Sequence, residues 1–249
     1  MANWNDPQRT RPGFGSEGFS GASVPRTREV FDAGLRSYML SIYNYMTSGV
    51  LLTGVVALLT AQSGLAITFA RGPLMWLVML SPLAIVFAMS AGANKFSTTT
   101  LRAMFWGFAV LMGLSLSTIF LVYTGSSIAA TFFATAGAFA GLSLFGYTTK
   151  KDLSAFGTFL IMGVVGLIIA IVVNMFLKST GLDLAISFLG VLIFAGLTAW
   201  DTQRLKASYA QLRGTEFAGK MVVMGALSLY LDFINMFLFL LRFMGNSRS

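Results

Sequence analysis

The sequence predicts an all-α integral membrane protein, built as a bundle of seven transmembrane helices. Of the 249 residues, 56% are hydrophobic and only 10% are charged, against ~25% charged residues in a typical soluble domain. The few charges are also unevenly placed, since none occurs between Ala103 and Thr149. A surface that faces water cannot be built from such a chain, so the lipid bilayer is its expected partner.

The composition excludes several classes of chemistry. The chain has no His and no Cys, which rules out histidine acid–base catalysis, His or Cys metal sites, thiol catalysis and disulfides. The net charge is +8, with 17 Lys and Arg against 9 Asp and Glu. In a membrane protein such an excess reflects basic cytosolic loops that face anionic lipid headgroups, so no nucleic-acid partner is predicted.

Residues 1–36 differ in composition from the rest of the chain. The stretch from Asn3 to Thr27 is rich in Gly, Ser, Pro and Arg and contains no apolar run, which is typical of a disordered basic tail. No apolar segment precedes Tyr38, so a secretory signal is not indicated. The transmembrane domain is predicted to cover residues 37–246.

The remaining chain is predicted to form seven spans. A helix needs ~20 apolar residues to cross the hydrocarbon core, where its backbone must satisfy its own hydrogen bonds. The long uncharged stretch therefore holds two spans, divided by the turn-forming residues 124–127. On the fourth span, Gly137 and Gly141 form a GxxxG motif, which predicts close packing within the bundle, with a dimer interface as the alternative. The predicted spans are 38–61, 74–93, 102–123, 128–147, 153–177, 183–205 and 221–243.

The orientation follows from the basic residues on alternate sides of these spans. With the N-terminus in the cytosol, 13 Lys and Arg are cytosolic and four are external, a bias that favours this orientation. An odd number of spans then places the C-terminus outside. The cytosolic set is Arg9, Arg11, Arg26, Arg28, Arg36, Lys95, Arg102, Lys150, Lys151, Arg204, Lys206, Arg213 and Lys220; the external set is Arg71, Lys178, Arg242 and Arg248.

Asp201 and Asp232 are acidic residues inside the predicted sixth and seventh spans. A carboxylate at the centre of a membrane helix costs ~2.5–3.5 kcal/mol on insertion scales, and such residues usually face a partner or a water-filled cavity. Asp201 lies near the cytosolic end of its span, where a structural role in a pair with Arg204 at i+3 stays open. Asp232 lies near mid-span. Both aspartates are therefore candidate functional residues.

Polar neighbours support these two carboxyl groups. Ser228 and Asn235 share the helix face of Asp232, at i−4 and i+3, and Thr198 precedes Asp201 by three residues. At ~1.5 Å per residue, Asp232 lies ~16 Å into its span whereas Asp201 lies only ~7 Å from the end of its own. We therefore expect the first turn of the seventh span to project into the cytosol.

Three segments resemble a known family. The run Ala-Leu-Ser-Leu-Tyr-Leu-Asp-Phe-Ile-Asn at Ala226–Asn235, continuing to Leu241–Gly245, closely resembles the last helix of the Bax inhibitor-1 family, also called the transmembrane Bax-inhibitor-motif family, in its bacterial branch. Gly196–Gln203 is similar to the family's aspartate motif on the sixth helix, and Lys150–Ser154 to its loop before the fifth. The resemblance covers residues 37–246.

The resemblance implies a seventh helix surrounded by the other six and a pH-sensitive leak of Ca²⁺ down its gradient. It maps the family's paired aspartates onto Asp201 and Asp232, and it implies a multi-pass protein of the bacterial inner membrane with no cofactor besides the permeant Ca²⁺. One feature departs from the family pattern. Bacterial relatives can carry an Arg on the second helix that latches to the sixth-helix aspartate, whereas residues 81–94 here are uncharged and the first charge is Lys95.

Other functions stay open at this point. An intramembrane aspartyl protease also uses two aspartates, but Asp232 follows Leu229-Tyr230-Leu231 instead of a Gly-x-Gly motif, so no enzyme is predicted. A non-conducting regulator that binds a membrane protease or cell-death partner, and a proton-coupled transporter, are the alternatives. Two carboxyl groups fall short of the 6–8 oxygens that Ca²⁺ prefers, so any Ca²⁺ site near Asp201 and Asp232 would be transient.

Overall fold

The computed structural model describes residues 24–69 and 74–246, with side chains from Phe31 onward. These residues form helices throughout, joined by short turns. The helices are α1 Val24–Gln62, α2 Leu65–Phe69, α3 Leu74–Gly92, α4 Thr98–Leu116, α5 Ile119–Val122, α6 Gly125–Thr148, α7 Ser154–Leu177, α8 Thr180–Leu212 and α9 Phe217–Met244.

Seven helical segments are long and apolar enough to cross a membrane, which confirms the predicted fold class. The third of these segments combines α4 and α5, and α2 is too short to count. They are Phe31–Gln62, Leu74–Gly92, Thr98–Val122, Gly125–Thr148, Ser154–Leu177, Thr180–Leu212 and Phe217–Met244.

Helix α1 begins within the stretch that composition assigns to the tail. Contacts divide the chain into two units, Met1–Gly34 and Leu35–Ser249. The described residues of the first unit, Val24–Gly34, belong to α1, so this part of the expected tail is helical. The predicted boundary at residue 37 stays a prediction. The expected disorder of residues 1–23 lies outside the described residues.

Polar residues mark the ends of several helices, as their capping chemistry requires. The Thr124 hydroxyl accepts a hydrogen bond from the Ser127 amide at the start of α6. The predicted division of the uncharged stretch is therefore present, but it lies at Tyr123 and Thr124, because residues 125–127 already belong to α6. Ser179 caps α8 through the Leu182 amide. Both hydroxyls satisfy amides that lack a partner in the first helical turn.

The last helix, α9, is the most deeply buried span. In the apolar 18-residue stretch that defines this span, 61% is buried, whereas the buried share of the corresponding stretch is at most 39% in the other described spans. Tyr230 on α9 is fully buried between Phe105 and Phe108, and its hydroxyl lies 2.7 Å from that of Thr53, which donates to the Ala109 carbonyl. This helix therefore organises much of the core, and its full enclosure by the other six stays a prediction.

Glycines allow close approach between some of the spans, but not at the predicted pair. A Cβ atom on Gly146 of α6 would overlap the backbone of Ala199 on α8, and one on Gly157 of α7 would overlap the Trp200 ring. By contrast, a Cβ on Gly137 or Gly141 meets nothing within 4 Å. The expectation that the GxxxG motif packs within the bundle is wrong, because this face of α6 is turned away from the neighbouring helices.

Candidate functional site

The site lies between α8 and α9, which form an antiparallel pair joined by residues 213–216. Gly214 in the connection has a φ of 79°, a conformation that favours glycine. Asp201 lies eleven residues before the end of α8 at Leu212, and Ser228 lies eleven residues after the start of α9 at Phe217. This symmetric spacing places the two side chains at the same depth.

The pairing of α8 with α9 gives a smaller difference in depth between Asp201 and Asp232 than the sequence predicts. α8 continues seven residues beyond its predicted end at 205, and α9 begins four residues before its predicted start at 221. Asp232 consequently lies about one helical turn, ~6 Å, deeper than the level shared by Asp201 and Ser228. Both helices extend beyond their predicted ends, and the projection of the first turn of the seventh span into the cytosol stays a prediction.

Asp201 is a buried carboxyl group with two polar neighbours. Its exposed fraction is 5%. The Ser228 hydroxyl donates a hydrogen bond to Oδ2, and Nη1 of Arg204 lies 3.6 Å from Oδ1. The i+3 pair with Arg204 is thus present, but Oδ1 accepts no hydrogen bond from the described residues. The carboxyl group is therefore only partly satisfied.

Asp232 completes a pair of buried carboxyl groups. It is also 5% exposed, and it lies one helical turn beyond Ser228, whose hydroxyl donates to Asp201. Its Oδ2 has no hydrogen-bond partner among the described residues. Two ionised carboxylates close together in an apolar medium repel each other strongly, whereas a shared proton links them. The arrangement can therefore store or release a proton.

The other polar residues predicted at the site form hydrogen bonds that differ from the predicted ones. The Thr198 hydroxyl donates to the Phe194 carbonyl at 2.8 Å, and the Asn235 amide donates to the Leu231 carbonyl at 2.8 Å. Each of these bonds stays within its own helix. Ser228, expected beside Asp232 on the same helix face, instead reaches across to Asp201.

A crevice of about 300 Å³ lies between α3, α8 and α9, beside the two residues that contact Asp201. Its lining includes Ser90 of α3 together with Arg204 and Ser228, the two residues that contact Asp201. The volume is sufficient for several water molecules. Water or a hydrated cation in this crevice would therefore come within one side chain of the Asp201 carboxyl group.

The positive charge at the site comes from α8 itself. The crevice residues Val86 and Ser90 of α3, and Ala93 directly after it, are all uncharged. Lys95 is exposed at the end of this segment, and the only ion pair of Asp201 among the described residues is with Arg204. Arg204, whose side chain is 50% exposed, thus provides the counter-charge that the second span lacks.

The described residues contain no group of three or more acidic, His or Cys side chains that could hold a metal ion. Ca²⁺ prefers 6–8 oxygen ligands, and the pair supplies at most four carboxylate oxygens. A transient Ca²⁺ site at Asp201 and Asp232 stays a prediction.

A contact that sequence reasoning did not identify lies near the same end of α8. The Gln203 side chain donates to the Lys151 carbonyl at 2.7 Å and accepts from the Leu153 amide at 2.8 Å. Hydrogen bonds from Ser154 lower the pKa of Asp152 in the same loop. Gln203 and this loop belong to two of the three segments that carry the family resemblance, but neither pattern indicates that they touch.

At the opposite end, an ion pair connects α8 and α9. Arg242 donates from Nε to Asp183 at 2.9 Å and forms a second bond through Nη2. The Asn174 amide of α7 also donates to Asp183, at 3.3 Å. The ends of three spans are thereby joined by one partly exposed carboxylate.

The amino-acid sequence matches a known family and several bacterial proteins. Residues 35–249 match a family described as "Inhibitor of apoptosis-promoting Bax1". The chain is 46% identical to the inner membrane protein YbhL of Escherichia coli, over 87% of this chain and 94% of the relative. It is similarly related to an uncharacterized protein of Caulobacter vibrioides (47% identity, 91% and 96% coverage) and to one of Rickettsia prowazekii (46% identity, 89% and 94% coverage).

Proposed function

Because the chain belongs to the Bax inhibitor-1 family of membrane proteins, we propose that it is a pH-sensitive leak channel for Ca²⁺ and related cations. Asp201 and Asp232 form its gate. The channel needs no cofactor and catalyses no reaction. It lies in the bacterial inner membrane, where the name of the Escherichia coli relative places that protein, with its N-terminus in the cytosol.

The observation that carries this proposal is the pair of buried carboxyl groups on two different helices. Asp201 and Asp232 are each 5% exposed, and Ser228, one helical turn before Asp232 on α9, donates a hydrogen bond to Asp201 on α8. Intramembrane acids are costly, and they mark ion pathways and proton relays.

The pair responds to pH through its own repulsion. Two like charges ~4 Å apart repel by ~4 kcal/mol at an effective dielectric of ~20. With one proton the carboxyl groups hold α8 and α9 together, and when that proton leaves they separate. The crevice beside Ser228 and Arg204 provides the route by which water and cations reach them.

The test is ion flux through purified protein in liposomes, measured for Ca²⁺, Na⁺ and K⁺ across pH 6 to 8. We expect cation flux that varies with pH and exceeds that of empty liposomes. Asp232→Asn should remove most of the pH dependence, whereas the matched control Asp152→Asn should not, because Asp152 lies in a loop outside the pair.

Two other outcomes would replace the proposal. Uphill movement of a substrate coupled to protons would indicate a transporter. No flux at any pH, from protein that is folded and inserted, would leave a non-conducting regulator of a membrane protease or cell-death partner.

A further inference from the structure

A long apolar groove separates α1 from α6 on the outside of the bundle. Its volume is about 710 Å³, within the range of ~300–1,000 Å³ that is typical of small-molecule sites. α6 packs on α8 and α9, and Phe139 and Phe233 belong to the groove lining. The groove is distinct from the crevice beside the aspartate pair.

The two walls of the groove have matching lengths and opposite directions. On α1 the lining runs from Arg36 to Leu51, and on α6 it runs from Phe132 to Tyr147. Each wall covers fifteen residue steps, or ~22 Å of helix. One leaflet contributes ~15 Å to a hydrocarbon core of ~30 Å. The groove therefore extends from the headgroup level of one leaflet to beyond the bilayer centre.

The charged side chain that lines the groove lies at one of its ends. Arg36 lies there on α1 and Tyr147 on α6, whereas Leu51 and Phe132 mark the other end. Lys206 adds a second positive charge, since its ammonium group lies 4.7 Å from the Tyr147 ring centre and donates to the Tyr147 carbonyl at 2.7 Å. Arg36 is exposed and forms no ion pair with the acidic residues that the structure describes.

We propose that this groove binds one anionic phospholipid from the leaflet on the Arg36 side, the predicted cytosolic leaflet. Its phosphate contacts Arg36 near Lys206, and one acyl chain lies between α1 and α6 towards Leu51. The apolar lining gives little preference for a lipid tail over bulk lipid, because both surroundings are equally apolar. The selectivity comes from the charges, which attract anionic headgroups.

The test uses full-length protein in vesicles of equal phosphatidylglycerol and phosphatidylethanolamine, extracted gently and analysed by native mass spectrometry. We expect a single phosphatidylglycerol to remain on each wild-type chain. Ala140→Phe should lose it, because Ala140 lines the groove, while Ala138→Phe should retain it, because Ala138 is exposed elsewhere on α6.

The charge is tested separately. Arg36→Gln should lower the preference for phosphatidylglycerol about fivefold, the value of roughly one basic residue near a membrane surface. The matched control Lys95→Gln removes one exposed charge elsewhere and should leave the preference unchanged.

A photoreactive group at the end of the acyl chain provides a readout that needs no variant. It should label wild-type protein near Leu51 and Phe132. Wild-type protein without retained lipid, retention by folded Ala140→Phe, labelling spread over other spans, or cross-linking of two chains through the groove would each overturn the proposal. The last outcome would identify a second copy as the occupant.

Discussion

Asp201 and Asp232 differ in the side chains that contact their carboxyl groups. Asp201 has a hydroxyl donor and a cation, Ser228 and Arg204, whereas Oδ2 of Asp232 has no hydrogen-bond partner among the described residues. Arg204 also lies over the Trp200 ring, 5.0 Å from its centre, which holds the guanidinium beside the helix. In the proposed mechanism the pair acts as one titrating unit, with Arg204 as the counter-charge at one side.

Asparagine substitutions test this unit. Asp201→Asn and Asp232→Asn each retain a hydrogen-bonding side chain but remove the repulsion, so either should make liposome flux nearly independent of pH between 6 and 8. The double variant should add little, because residues that act together are not additive. A wild-type pH profile in each single variant, or a double variant equal to the sum of two independent shifts, would show that the carboxyl groups act separately.

The contact between α6 and α8 depends on a missing side chain. Gly146 places its Cα against the Ala199 backbone, so an added Cβ has no flexible atom to displace. Ala199 lies two residues before Asp201, and this contact fixes the position of α8 in the bundle. Close approach of this kind replaces the hydrophobic driving force that helices lack in lipid.

Gly146→Ala should therefore destabilise the folded protein, by ~1–3 kcal/mol as in other overpacked sites. Gly137→Ala is the control on the same helix, since its Cβ meets open space. The measurement is unfolding in mixed detergent micelles followed by circular dichroism. Equal stability of the two variants would mean that α6 and α8 do not approach closely at Gly146.

A glutamine side chain of α8 forms hydrogen bonds with the backbone of the loop before α7. Gln203 makes two hydrogen bonds to the backbone of this loop, at Lys151 and Leu153. Gln203→Ala should lower the thermal midpoint, because each lost bond contributes ~0.5–1.5 kcal/mol. Gln211→Ala, at an exposed position of the same helix, should leave it unchanged. A midpoint equal to the wild-type value in Gln203→Ala would contradict the contact.

In the molecule as a whole, the polar features fall at distinct depths. The Asp183–Arg242 pair joins α7, α8 and α9 at one end, whereas the extended α8, its loop contacts and Arg36 occupy the other. The aspartate pair and its crevice lie between these ends, closer to the second. This asymmetry agrees with the predicted concentration of basic residues on the cytosolic side.

The orientation is tested by cysteine labelling, since the native chain has no Cys. A Cys introduced at Ser16 should react only from the cytosolic side, and one at Ser247 only from outside. Labelling is compared in intact and permeabilised spheroplasts with a reagent that does not cross membranes. Reaction of both sites from the same side would mean that the seventh segment does not cross.

The sequence by itself determined the membrane class, the seven spans, the turn at Thr124 and the two acidic residues of the site. Each depends on the composition of one segment, because the free energy of inserting a helix into lipid is a sum over its own residues. Only the tertiary structure decided that Ser228 binds Asp201, that Gly146 packs while Gly137 does not, and that Gln203 holds the loop before α7. These contacts depend on the rotation and register of each helix. In a bilayer the lipid-facing and bundle-facing sides are both apolar, so hydrophobic periodicity does not reveal which side packs inward.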